Sequence, residues 1–125
     1  MGEDWFLASV DRVARAAGIA SEEMRAAVEE LVGTTRAARA DGRSLVEIVD
    51  LLIARRGREM RLRASAAFHE YERAVADMRA GIVRALVDDE GMTLSEAGLR
   101  LKISRQAATR LYQTGQQVSE DPLQE

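Results

Sequence analysis

Apolar residues return every three or four positions over most of the chain, a spacing that gathers them on one face of a helix rather than on alternate faces of a strand. The first stretch, residues 4–17, aligns Phe6, Leu7, Val10, Val13, Ala14 and Ala17 and then meets Gly18, which predicts a stop. Ser21 is placed to cap a second helix. Glu22 and Glu23 would fall in its first turn, at the positive end of the helix dipole, with Met24, Val28, Leu31, Thr35 and Ala38 on one face. Gly33 and the Thr34-Thr35 pair weaken its second half, and Asp41-Gly42 marks a break. Ser44 and Glu47 then make a capping box, S-x-x-E, ahead of Leu45, Ile48, Val49, Leu52 and Ile53, which predicts a third helix from Leu45.

Gly57 either ends that helix or sits inside a longer one; the pattern is compatible with both. After it comes the longest helical pattern of the chain, residues 58–89, in which Met60, Ala64, Ala67, Tyr71, Ala74, Met78, Ile82 and Ala85 recur in steps of three and four. This is close to a coiled-coil seam. Phe68, Val75, Val83, Leu86 and Val87 broaden it. A helix of some 30 residues spans about 45 Å, more than a small domain needs to bury within itself. Met60, Ala64, Ala67, Tyr71, Ala74, Met78 and Ile82 are therefore expected to form a dimer seam, the alternative being a core helix crossing a monomeric bundle.

The block TLSEAGLRLKISRQAATRLY, Thr93 to Tyr112, has a different texture. Thr93 and Glu96 make a second capping box, which predicts a short helix over 94–101; Ser104 caps another over 105–113, with Gly115 a plausible stop. Two short helices joined by Lys102-Ile103-Ser104 are a helix-turn-helix. Ala97 is small where such helices cross, and Leu94, Leu101, Ile103, Ala108 and Leu111 supply a miniature core, with Val83 and Leu86 available as its third side.

These residues resemble the helix-turn-helix of the promoter-reading region four of bacterial sigma factors and of many small actinobacterial regulators, roughly T-L-x-E-I-G-x-x-L-G-V-S-R-x-x-V. The resemblance covers about a quarter of the chain. Two departures from the pattern stand out: the family's turn glycine is Lys102, and its aliphatic residue in the first helix is Ala97. A left-handed lysine in the turn costs on the order of 1 kcal/mol.

The geometry of a helix-turn-helix lays its second helix in the major groove of DNA. With Ala108 and Leu111 inward, Arg105, Gln106, Thr109 and Arg110 project outward and Gln113 follows one turn later. Arg pairs with guanine, Gln with adenine, and the Thr methyl packs on a thymine methyl, so these five are the expected base readers. Arg110 has a rival role as an ion-pair partner of Asp88 or Glu96. Thr93, Ser104, Arg100 and Lys102 are expected on phosphates. The remaining residues, QTGQQVSEDPLQE after Tyr112, carry no strand pattern and hence no wing. One short helix holds a half-site weakly, so a dimer on two half-sites is expected to supply the affinity.

Composition agrees with an all-α chain: of 125 residues 21 are Ala, and the single Pro is Pro122. Of 18 basic residues only Lys102 is lysine, an Arg bias associated with high-GC bacterial genomes. The net charge of -3 hides alternating blocks: -4 over residues 1–50, +3 over 51–73, -2 over 74–91, +3 over 92–113 and -3 thereafter. That total disfavours a nonspecific nucleic-acid coat, while two basic islands leave room for a phosphate-docking face. The island Arg55, Arg56, Arg58, Arg61 and Arg63 is read as a solvated face or as an auxiliary phosphate or acidic-partner surface. No Cys and one histidine, His69, leave no disulfide framework, thiol nucleophile or Cys/His metal set, and no Gly-rich phosphate loop is present; neither an enzyme nor a cofactor is expected. An acidic start, MGEDWFL, and the lack of a long apolar run predict no signal peptide and no membrane span, hence a cytoplasmic, nucleoid-associated protein.

The expected organisation is a three-helix N-terminal bundle over 1–56, a long connecting and dimerising helix over 57–90, a helix-turn-helix without a wing over 91–114, and a flexible acidic tail over 115–125. The expected function is sequence-specific duplex-DNA binding by a homodimeric transcriptional regulator. The alternative is a helical interaction module docking on RNA polymerase, a sigma factor or another regulator. Whether residues 1–56 sense a ligand is left open.

Overall fold

The computed structural model describes the backbone of residues 4–120 and the side chains of residues 4–114. All its regular elements are helical: α1 Trp5–Ala40, α2 Leu45–Ala54, α3 Gly57–Asp88, α4 Leu94–Leu101 and α5 Arg105–Glu120, with no strand among the described residues.

The largest departure from expectation is α1. It runs unbroken through Gly18 and Ser21, so the described residues of 1–56 hold two helices rather than three. A glycine inside a helix costs about 1 kcal/mol relative to Ala, less than opening the hydrogen-bond ladder in an Ala-rich run. The stripe that counts also crosses Gly18 without a phase shift: Ala16, Ala20, Thr34 and Ala38 are buried at steps of four, fourteen and four. Ser21 lies in the helix interior, not at a cap.

α2 starts as expected. Ser44 accepts from the Glu47 amide at 3.2 Å while the Glu47 carboxylate accepts from the Ser44 amide at 2.9 Å. That backbone hydrogen bond holds the Glu47 carboxyl below its ordinary pKa. The break near Gly57 is real but is not a glycine cap, because the left-handed residue is Arg56, at φ 63°, and Gly57 opens α3. A Cβ at Gly57 would lie 3.3 Å from the Leu52 carbonyl oxygen, which explains the glycine by proximity. At the far end, α5 passes Gly115 and reaches Glu120, so residues 115–120 are helix rather than tail; the other tail residues, 121–125, lie outside the described residues.

The chain divides into two compact units, one of residues 14–72 and one joining residues 1–13 to 73–125. In the first, Ala16, Ala20, Ala38, Ile48 and Ala64 are buried. Buried Thr34 donates to the Glu30 carboxylate at 2.6 Å, and Arg55 donates to the same group at 2.6 Å, tying the end of α2 to α1. Together they lower the Glu30 pKa. One member of the basic island is thus an internal tie. In the second unit Ala74, Ala80, Val83, Ala97 and Ala108 are buried, Trp5 lies against Gly81, and Arg12 pairs with Asp77 at 2.8 Å.

Candidate nucleic-acid interface

The three residues between α4 and α5 are built tightly. Thr93 accepts from the Glu96 amide at 3.1 Å and the Glu96 carboxylate accepts from the Thr93 amide at 2.8 Å, which fixes the start of α4. Lys102 ends it in the left-handed conformation, φ 62° and ψ 42°, and the Ile103 amide bonds back to the Gly98 carbonyl at 2.9 Å. Ser104 caps α5 by accepting from the Ala107 amide at 3.0 Å. Ala97 and Ala108 are fully buried, 0% exposed, and no larger side chain would fit without parting the helices. Gly98 is the residue that sequence reasoning passed over. A Cβ there would lie 3.0 Å from the Ile103 carbonyl oxygen and 3.3 Å from that of Ser104. A glycine inside an eight-residue helix was the available signal.

The expected base readers fall together on α5. Arg105, Gln106, Thr109 and Arg110 line one shallow concavity; the first two and Arg110 are exposed, Thr109 is half-buried, and Gln113 is exposed further along the helix. The Thr109 hydroxyl donates to the Arg105 carbonyl at 2.9 Å. Arg110 is not held by either expected acid: Glu96 serves the Thr93 amide, and Asp88 accepts from the Tyr112 hydroxyl at 2.8 Å with Arg84 3.4 Å away. Thr93, Arg100, Lys102 and Ser104 are all exposed around the starts of the two helices and the turn.

Tyr112 is the second residue with an unforeseen role. Its hydroxyl fastens α5 to Asp88 on α3, and the Arg84 guanidinium stands 5.9 Å from its ring centre. The bond to Asp88 raises the Tyr112 pKa above its ordinary value. Val83, fully buried, joins Ala97 and Ala108 in the core of this unit, while Leu86 is half-buried.

Along α3 the expected seam is already partly covered by its own chain. Ala64 and Ala74 are buried, and Met60, Ala67, Tyr71, Met78 and Ile82 are half-buried. Among the described residues no group of three or more His, Asp or Glu side chains could hold a metal ion, and no helix is long and apolar enough to cross a membrane. Comparison of the chain with protein-family models, curated protein sequences and solved structures finds no match.

Proposed function

We propose that the chain is a sequence-specific duplex-DNA-binding transcriptional regulator that acts as a homodimer, with α4, the turn and α5 as a helix-turn-helix. The observation that carries this reading is the outward face of α5, where Arg105, Gln106, Thr109 and Arg110 share one concavity while Ala108 behind them is buried. Arg and Gln offer paired donors and acceptors to purine edges in the major groove. Thr109, its hydroxyl engaged by its own helix, has a methyl left to offer to thymine. The capping hydroxyls of Thr93 and Ser104, with Arg100 and Lys102, supply phosphate contacts that set register. The likeness of TLSEAGLRLKISR to region four of sigma factors supports the same reading. With no strand among the described residues to add a wing, two half-sites held by two copies provide the affinity.

Selection of bound sites from a pool of random duplexes tests it: a recovered consensus with two related halves is the expected result, and no enrichment refutes it. One observation favours a second reading, docking on RNA polymerase or another regulator. Leu99 is 80% exposed on the outside of α4, an apolar contact point that DNA does not require. Co-purification with polymerase in the absence of free-DNA binding would select that reading.

A further inference from the structure

Helix α2 is apolar on two faces. Eight of its ten residues are hydrophobic, with Glu47 and Asp50 the exceptions. Ile48 is buried and Leu51 and Leu52 are half-buried, which accounts for the face turned to its own unit. Leu45, Val46 and Ile53 remain 63%, 69% and 67% exposed, and Val49 is exposed between them. At 3.6 residues per turn these four fall within an arc of about 100°, the width of a stripe that normally faces a core. The stripe continues across a groove lined by Ala27, Leu31, Val49, Leu52 and Ile53 onto α1, where Leu31, Val28 and Met24 are exposed at helical spacing.

We propose that this α1–α2 face is the surface on which a second copy of the chain docks. It names the contact surface of the homodimer proposed above, on observations that do not involve DNA. The seven residues are each between 43% and 69% exposed, and a contiguous apolar patch beyond roughly a few hundred Å2 marks a contact surface more often than an ordinary monomer face. The charges at its borders suit self-association. Asp50 is exposed and falls just beyond Val46 on the helical wheel of α2, and Arg58 and Arg61 of α3 belong to the lining of the groove itself. None of the three makes an ion pair within the chain among the described residues. A two-fold axis that brings each Asp50 to the partner copy's groove arginines forms the same pair twice, as an isologous interface requires. The line on α3, half-buried in its own chain, has less left to offer.

Sedimentation equilibrium on the full chain decides the matter. The wild type is expected to be a dimer at micromolar concentration, and Val46→Glu with Ile53→Glu should give a helical monomer whose dissociation constant is raised by about two orders of magnitude. A monomeric wild type, or a double variant that remains a dimer, overturns the proposal. Should the double variant lose its circular dichroism, Val46→Thr with Val49→Thr keeps the shape and exchanges one methyl of each side chain for a hydroxyl, and it must weaken the dimer about tenfold or the proposal fails. A monomeric wild type that still selects a DNA consensus ends this inference and the homodimer with it, and leaves base reading by α5 standing. A dimer dispersed by these variants, in a chain that selects no DNA, does the reverse.

Discussion

Lys102 and Gly98 show what a single position costs where backbone approaches backbone. Lys102 holds φ 62° without the freedom of glycine, so Lys102→Gly is expected to stabilise the fold by about 1 kcal/mol, seen as a higher melting temperature. Gly98 has the opposite problem. Its missing Cβ makes room for the Ile103 and Ser104 carbonyls, and Gly98→Ala should destabilise by roughly 1–3 kcal/mol in urea unfolding, although alanine is the better helix former. Arg105 tests function at the same scale. It lies in the first turn of α5, exposed beside Gln106, and Arg105→Ala should cost about 1–3 kcal/mol on the selected site while leaving random duplex binding nearly unchanged. An unaltered consensus with this variant and with Gln106→Ala and Thr109→Ala would remove base reading from α5.

Elements were legible where a cap and a stripe agreed. Ser44 with Glu47 and Thr93 with Glu96 placed α2 and α4 at their observed starts, because each box satisfies two backbone groups that a helix start otherwise leaves open. Gly18 and Gly115 misled for one reason: a glycine ends a helix only where the chain must turn left-handed, and a glycine pattern alone does not say that it must. Arg56 took that conformation although a glycine stood next to it. The candidate site was legible as a face on α5; Tyr112 was not, because its partner Asp88 lies 24 residues away on another helix. That bond carries a pH dependence. A phenol whose pKa is raised by folding contributes stability that is complete below the unfolded value near 10 and is lost as pH rises through the folded value. The melting temperature of the wild type should therefore fall more steeply than that of Tyr112→Phe above about pH 10. Parallel profiles for the two proteins would show that the bond adds nothing in solution.

At the scale of the whole molecule, the proposed docking of an acidic chain on DNA requires a local field. Arg100→Ala and Lys102→Ala should each weaken binding to every duplex alike and flatten its salt dependence by about one counterion, measured as the slope of binding against salt. An unchanged slope would take both from the phosphate backbone. In a two-fold complex the base preference lost with Arg105 must vanish at two symmetric positions, about 34 Å or a multiple apart.

The ion pair of Arg12 with Asp77 joins residues 65 apart, and the unit it belongs to is made of the first 13 residues and everything from Arg73 onward. Such closure is slow compared with helix formation, because a long loop must be brought together before the contact repays it. During synthesis Trp5 is made well before Gly81 and can meet it only once the residues between them have been added. Residues 14–72 therefore leave the ribosome with their own contacts available before Trp5 can reach Gly81. The single tryptophan of the chain can report by its fluorescence the moment at which it meets Gly81.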